Sequence, residues 1–206
     1  MGNAVAAENE SPTCRCDREE PSRRGLLKMA LAFGIALPWL RPAPAGAQDV
    51  SIARPQRLDR LVHAFGAKAG QIISPESMET GASLVIAYPM DPVSNVIRSG
   101  SRFNQVLLVR LDPAELSEQT RPYAAEGVVA YSAVCTHLGC PLSGWYPNEK
   151  VIKCFCHDSV YDPKDYGRVV SGPAPKRLAI LPLAVNDGAL IAAGGFLGAV
   201  GFFTQA

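Results

Sequence analysis

Short runs of apolar and β-branched residues, separated by turn-forming residues, follow one another from about residue 83 to the end of the chain. Runs of this length, punctuated by Gly, Pro, Asn and Asp, are typical of antiparallel β-strands. The pattern therefore predicts an all-β domain. The expected strands span residues 83–88, 105–111, 128–134, 151–155, 168–170, 178–185 and 189–193.

Two short segments carry turn and capping signals. The segment 186–188, Asn-Asp-Gly, lies between the last two predicted strands. Because glycine accepts the positive φ of a tight turn, this segment predicts a hairpin that pairs them. The segment 112–115, Asp-Pro-Ala-Glu, places Asp at an N-cap position with Pro directly after it, which predicts the start of a short helix.

The N-terminal region has the features of an export signal. Arg23 and Arg24 precede an apolar run that ends at Leu40. Paired arginines ahead of such a run are typical of a twin-arginine signal, so we predict recognition by the twin-arginine translocase and a periplasmic location. The run has about 15 residues, fewer than the ~20 that span a bilayer, so cleavage is expected rather than retention as an anchor helix.

The chain is expected to have three parts. Residues 1–47 form the signal with a disordered leader, and the small residues at 45–47 suit a peptidase site. Residues 48–80 are predicted to be a linker and edge segment, and residues 81–206 the folded domain. With 206 residues, one main domain is the default, and the net charge of +1 gives no basic surface for a nucleic acid.

Two clusters of metal-ligating residues follow predicted strands. Each contains a cysteine and a histidine two or three residues apart, and together they hold every cysteine beyond the leader. Thiolate and imidazole are the ligand types of structural zinc sites, so a Cys2His2 zinc site is one interpretation of these clusters. The clusters are Cys135-Thr136-His137-Leu138-Gly139-Cys140 and Cys154-Phe155-Cys156-His157-Asp158-Ser159-Val160-Tyr161.

A Cys2His2 zinc site would account for only part of this pattern. Cys140 and Cys156 each lie beside a possible ligand pair, and in an oxidising compartment they could bridge the two segments. A plain structural zinc site has no need of such a bridge. The two additional cysteines therefore argue against zinc.

The two clusters resemble the boxes C-x-H-x-G-C and C-x-C-H-x-S-x-Y of the Rieske family, and every fixed position is present. The resemblance implies an antiparallel β-sandwich with a cluster-binding subdomain of two loops. It implies one [2Fe–2S] cluster per chain, a disulfide, and two ligand residues for each iron. The implied ligands are Cys135 and Cys154 on one iron and His137 and His157 on the other, and the implied disulfide joins Cys140 and Cys156.

The resemblance also implies roles for residues around the cluster. Ser159 is expected to donate a hydrogen bond to a bridging sulfide and Tyr161 to a ligand sulfur. Such donors favour the reduced form, as does the replacement of two thiolates by neutral imidazoles, so a high reduction potential is expected. Leu138, Gly172 and Pro173 are expected to shield the cluster or to contact a docked partner.

A Rieske domain carries electrons but has no substrate site of its own, so we expect a subunit rather than an independent catalyst. We favour the small subunit of an arsenite-oxidase-type enzyme, beside a large molybdenum subunit and passing electrons to a cytochrome c or a cupredoxin. The alternative is the Rieske subunit of a quinol-oxidising cytochrome bc complex, with cytochrome b and c1 partners. A self-contained oxygenase is excluded because only His63 is left over for a mononuclear iron site.

Overall fold

The computed structural model describes residues 49–202 and contains ten β-strands in two antiparallel sheets. Within this range there is no α-helix, and none of the helical turns could cross a membrane. Four 3₁₀ turns span Pro75–Ser77, Arg102–Asn104, Pro113–Glu115 and Arg121–Tyr123. The strands are β1 Arg60–His63, β2 Val85–Met90, β3 Val106–Arg110, β4 Val128–Ser132, β5 Gly144–Tyr146, β6 Val151–Lys153, β7 Val160–Asp162, β8 Arg168–Ser171, β9 Leu183–Asn186 and β10 Ala189–Ala192.

The larger sheet has the strand order β4-β3-β2-β1-β10-β9. Its strand β3 is buried on both faces, which explains its nearly continuous apolar sequence. Because successive side chains point to opposite faces, Leu107 and Val109 enter one core cluster while Val106 and Leu108 enter a second. The first cluster lies toward the smaller sheet and includes Ile152.

The smaller sheet has the strand order β5-β6-β7-β8. The segment 133–143 connects β4 of the larger sheet to β5 of the smaller one, and the segment 154–159 connects β6 to β7. Both cysteine–histidine clusters therefore lie in connections between strands. We call residues 135–140 the first ligand loop and residues 154–159 the second ligand loop.

The all-β prediction is confirmed, and so are both local signals. Asn186 pairs with Ala189, and the two turn residues between them have φ values of 50° and 74°. Such a turn needs positive φ at both positions, which Asp187 and Gly188 adopt. The Asp112 side chain accepts a hydrogen bond from the amide of Ala114 at 2.9 Å, as expected of a cap.

Residues 48–80, the segment predicted to be a linker and edge segment, contain a regular strand. Arg60–His63 forms β1, which pairs with both β2 and β10 inside the larger sheet. The run is only four residues long and ends in polar residues, so its pattern was too short to recognise. Most of the predicted strand 178–185 is also not a regular strand, since β9 covers only Leu183–Asn186.

A buried ion pair fixes the beginning of the described chain to the domain. Arg98, 2% exposed, donates to both carboxylate oxygens of Asp59 at 2.7 and 2.9 Å and to the Val50 carbonyl at 3.1 Å. The amide of Gly100 also donates to the Ser51 carbonyl at 3.0 Å. We call residues 49–53 with these partners the N-terminal clamp.

The predicted signal and leader, residues 1–47, lie outside the described residues. The twin-arginine signal, its cleavage and the periplasmic location therefore stay predictions, as does the division of the chain at residue 81.

Candidate metal centre

The two ligand loops share one backbone arrangement. In the first, the amide of Gly139 donates to the Cys135 carbonyl at 3.0 Å, and the amide of Cys135 donates to the Cys140 carbonyl at 2.8 Å. In the second, the amide of Asp158 donates to the Cys154 carbonyl at 3.0 Å, and the amide of Cys154 donates to the Ser159 carbonyl at 2.8 Å. Each turn thus begins at a cysteine and is closed by the same pair of hydrogen bonds.

The same position in each turn has a positive φ, 76° at Gly139 and 57° at Asp158. Glycine adopts this conformation without a steric penalty, and aspartate tolerates it better than most residues. The backbone conformation at this position therefore explains why the first box has a glycine there. It allows the chain to turn tightly enough to present Cys135 and His137 on one side.

Cys135 and Cys154 are free thiols, each 1% exposed, at the end of the main core cluster. Burial raises the pKa of the Cys154 thiol, and the neighbouring Cys135 raises it further, while the amides of Cys156 and His157 act in the opposite direction. The thiolate form of Cys154 is therefore disfavoured when no cation lies beside the two thiols. They suit a bound cation, which would favour the thiolate form of both.

Tyr161 connects the core to the first ligand loop. Its hydroxyl lies 3.1 Å from the Cys135 sulfur and accepts a hydrogen bond from the amide of Thr136 at 3.2 Å. Burial raises the pKa of this phenol, so the hydroxyl keeps its proton. The Thr136 hydroxyl donates its own proton to the Lys176 carbonyl at 2.6 Å.

Because the Thr136 hydroxyl donates its proton to Lys176, the Tyr161 proton has two possible acceptors. These are the Cys135 sulfur and the Thr136 hydroxyl oxygen, each at 3.1 Å. A thiolate is the stronger acceptor because a charged partner shortens and strengthens a hydrogen bond. Tyr161 is thus placed to donate to Cys135 when that residue is ionised. The geometry suits the role that the sequence resemblance implies.

The side chains of His137 and His157 are in contact. The ring centroids of His137 and His157 are 4.8 Å apart, and the ring planes are nearly perpendicular at 88°. His137 is half-buried and its Nδ1 atom is buried with no hydrogen-bond partner among the described residues, whereas His157 is exposed. A buried imidazole nitrogen without a partner is costly unless it binds something, so this nitrogen suits a metal.

Cys140 and Cys156 form a disulfide between the two ligand loops, with Cα atoms 6.6 Å apart. The sulfurs of Cys140, Cys154 and Cys156 all lie within 4.8 Å of one another. Because disulfide sulfurs are not thiolates, only Cys154 of these three remains available as a ligand. The disulfide thus holds the second loop against the first beside the free thiols.

Ser159 and Gly172 complete the surroundings of the second loop. The Ser159 side chain is fully buried, and its hydroxyl has no hydrogen-bond partner among the described residues. A Cβ atom added to Gly172 would lie 2.5 Å from the Cα of Ser159 and 2.7 Å from the Asp158 carbonyl oxygen. The glycine of the Gly-Pro-Ala-Pro segment therefore lets that segment pack directly on the loop backbone.

These groups fit a [2Fe–2S] cluster. Two buried free thiols, a buried imidazole nitrogen and an unpaired buried hydroxyl lie on two loops held together by a disulfide. A family model describing the Rieske [2Fe-2S] domain matches residues 104–182. The chain carries a Rieske [2Fe–2S] domain. Such a domain binds one cluster and transfers single electrons, which confirms the predicted cofactor and general role.

Curated relatives of this Rieske domain are named as Rieske subunits of cytochrome bc1 complexes. The chain is 40% identical over 101 residues to the cytochrome bc1 complex Rieske iron-sulfur subunit of Streptomyces lividans, covering 48% of this chain and 56% of that protein. It is 39% identical over 104 residues to the subunit of the same name from Corynebacterium glutamicum, covering 48% and 26%. The chain therefore spans between about a quarter and just over half of these relatives.

Solved structures with a similar fold include Rieske proteins. The soluble domain of the Rieske protein II from Sulfolobus acidocaldarius matches with 30% identity and a TM-score of 0.36, covering 46% of this chain and 65% of that one. A chain of a hyperthermophilic respiratory Complex III matches with 25% identity and a TM-score of 0.45, covering 82% and 96%.

The structure pairs Cys140 with Cys156 in a disulfide, brings the rings of His137 and His157 into contact, and places the Cys135 side chain beside that of Cys154. The assignment of Cys135, His137, Cys154 and His157 as the four ligands stays a prediction. Sequence reasoning missed Thr136, a fully buried residue of the first loop that is hydrogen-bonded to both Tyr161 and Lys176. Nothing in the sequence marked this variable position of the first box.

Proposed function

We propose that this chain is the Rieske subunit of a quinol-oxidising cytochrome bc complex. The supporting observation is the 40% identity to a relative that is named as a Rieske subunit of a cytochrome bc1 complex. This favours the alternative of our sequence analysis over the arsenite-oxidase-type small subunit, for which the relatives named above give no support. Cytochromes b and c1 are the partners that this proposal implies.

The surface around the histidines suits an apolar electron donor. His157 is exposed, and Leu138 and Phe155 on the two ligand loops are 59% and 65% exposed. Large apolar side chains at such exposure are candidates for contacts with a partner or ligand. A quinol has an apolar ring and polar hydroxyl groups, so it matches an imidazole edge between apolar side chains.

The histidines supply the proton chemistry in this proposal. Because Nδ1 of His137 is buried without a partner and suits the cluster, Nε2 is the ring nitrogen left to accept a hydrogen bond from a quinol hydroxyl. When bound, the cluster supplies a one-electron acceptor. The imidazole would take one quinol proton, and the remaining proton and electron would pass to groups of the partner subunits. Cytochrome c1, and through it a cytochrome c or cupredoxin, would be the acceptor that this proposal implies.

The test is purification of an affinity-tagged full-length chain from the membrane and soluble fractions of its source cells. We expect it in membranes, with b- and c-type haems in the redox difference spectrum and quinol:cytochrome c reductase activity. A soluble complex with a large molybdenum subunit and no haem b would contradict the proposal and restore the arsenite-oxidase-type assignment.

We also propose that the twin-arginine translocase exports the folded chain to the periplasmic side. Replacing Arg23 and Arg24 by Lys should leave the protein in the cytoplasm, while Lys28→Arg should not. Export of the double variant at the wild-type level would contradict this route.

A further inference from the structure

The last part of the described chain packs against the first ligand loop. We call residues 194–202 the C-terminal strap. Leu197 exchanges two backbone hydrogen bonds with Ile180, at 2.8 and 3.2 Å, and Val200 is buried against Val134 and Ala179. Val134 directly precedes the predicted ligand Cys135. The strap lies beyond residues 104–182, the part that the family model matches.

The strap ends on Gly139 of the first ligand loop. A Cβ atom added to Gly139 would lie 2.8 Å from the Phe202 ring and 3.3 Å from Nη2 of Arg102. Arg102 Nη1 donates a hydrogen bond to the Gly139 carbonyl at 2.7 Å, and its guanidinium lies 4.8 Å from the centre of the Phe103 ring. The Phe202 ring and the Arg102 guanidinium therefore both lie on the side of Gly139 where a side chain would stand.

Arg102 is placed to act on the charge of the metal centre. It is exposed, and it takes part in none of the ion pairs found between residues 49 and 202. The carbonyl that it binds lies two residues after His137 in the same tight turn. A positive charge near a redox centre favours the more negative, reduced form, and the effect weakens with salt when the charge is exposed.

We propose that Arg102 is a positioning residue for the first ligand loop, held there by the C-terminal strap through Phe202, and that its positive charge raises the reduction potential. The contact fixes the Gly139 carbonyl and with it the turn that presents His137. This proposal rests on the Rieske domain alone and does not depend on which complex the chain joins.

The test measures the midpoint potential and the EPR spectrum of the full chain with its cluster bound. We expect Arg102→Gln to lower the midpoint potential and shift the g values, and Arg102→Lys to restore most of the potential because it keeps the charge. The difference between Arg102→Gln and wild type should shrink as salt is added. Arg57→Gln, which removes an exposed arginine elsewhere, is the matched control and should leave the potential unchanged.

An unchanged potential in Arg102→Gln, or an equal decrease in Arg57→Gln, would overturn the proposal. If Arg102→Gln does not fold, the strap contact is tested through Phe202. Phe202→Ala should then lower the potential and broaden the EPR lines, while Phe202→Leu, which keeps apolar bulk on Gly139, should resemble wild type. A wild-type potential and spectrum in Phe202→Ala would also overturn the proposal.

Discussion

The two ligand loops have the same backbone hydrogen bonds but very different support. In the first loop, Thr136 is tied to the core through Tyr161, and Gly139 lies against Arg102 and Phe202. In the second loop, Cys154 and Ser159 are buried, but residues 155–158 between them are all exposed. The contacts that hold this exposed part include the disulfide, the close packing of Gly172 on Asp158, and an ion pair between Lys153 and Asp158, in which Asp158 is 75% exposed.

This difference shows that the two sides of one metal centre can be stabilised in different ways. The first loop is held by the protein core, so changes there should alter the properties of the cluster more than its retention. The exposed residues 155–158 of the second loop are held by a few separate contacts at the surface. Loss of any one of them should affect cluster retention first.

The largest effect is expected from removing the disulfide. Cys156→Ser should lower the free energy of unfolding by about 3 kcal/mol, because the bridge closes a short loop, and should reduce iron content. Thermal unfolding and iron analysis measure both. Cys140→Ser should match it, and the double variant should add little because both changes remove one bond. Full iron content in all three would show that the second loop has support not described above.

A smaller effect is expected at Gly172. Gly172→Ala should cost about 2 kcal/mol and release cluster faster, because its φ of 90° is unfavourable for alanine and the added Cβ meets backbone atoms. Gly188→Ala is the matched control, since Gly188 has a φ of 74° with nothing within 4 Å. It should cost only the backbone strain, about 1 kcal/mol. Equal losses of cluster in both variants would remove the role given to the packing of Gly172.

Tyr161→Phe should affect the first loop with less loss of cluster. The Thr136 amide loses its acceptor and Cys135 loses a donor, so unfolding should become easier by about 1–2 kcal/mol and the reduction potential should fall. The cluster should still be retained because the disulfide is intact. Voltammetry and thermal unfolding of the same sample separate the two effects, and a wild-type potential would contradict donation to Cys135.

Ser159→Ala should have the smallest effect on stability and a clear effect on potential. Its hydroxyl has no partner among the described residues, so the cluster-free protein should change by less than about 1 kcal/mol or become slightly more stable. The cluster-bound protein should show a lower potential if the hydroxyl donates to the cluster. Loss of stability without a change in potential would mean that Ser159 serves the fold alone.

The residues that bind the cluster could be predicted from the sequence much better than the contacts that hold the ligand loops in place. The two boxes are contiguous segments with ligand-type residues, so their chemistry is visible without knowing the fold. The hairpin at Asp187 and Gly188 was predictable for the same reason, since its conformation depends on its own residues. The partnership of Arg102, Gly139 and Phe202 joins three separated parts of the chain, and no local pattern indicates it.

The strand β1 illustrates the same limit. Leu61 and Val62 are fully buried, but two apolar residues between Arg60 and His63 give no recognisable period. Their place in the sheet is decided by pairing with β2 and β10, which lie far along the chain. Strands 83–88 and 105–111 were predicted nearly correctly because their apolar runs are longer.

The N-terminal clamp sets where the folded domain begins. Because Arg98 binds both Asp59 and the Val50 carbonyl, residues 49–53 are fixed to the domain and add no length to a flexible connection. If the chain is attached to a membrane upstream, the reach of that attachment depends on residues before Asp49 alone.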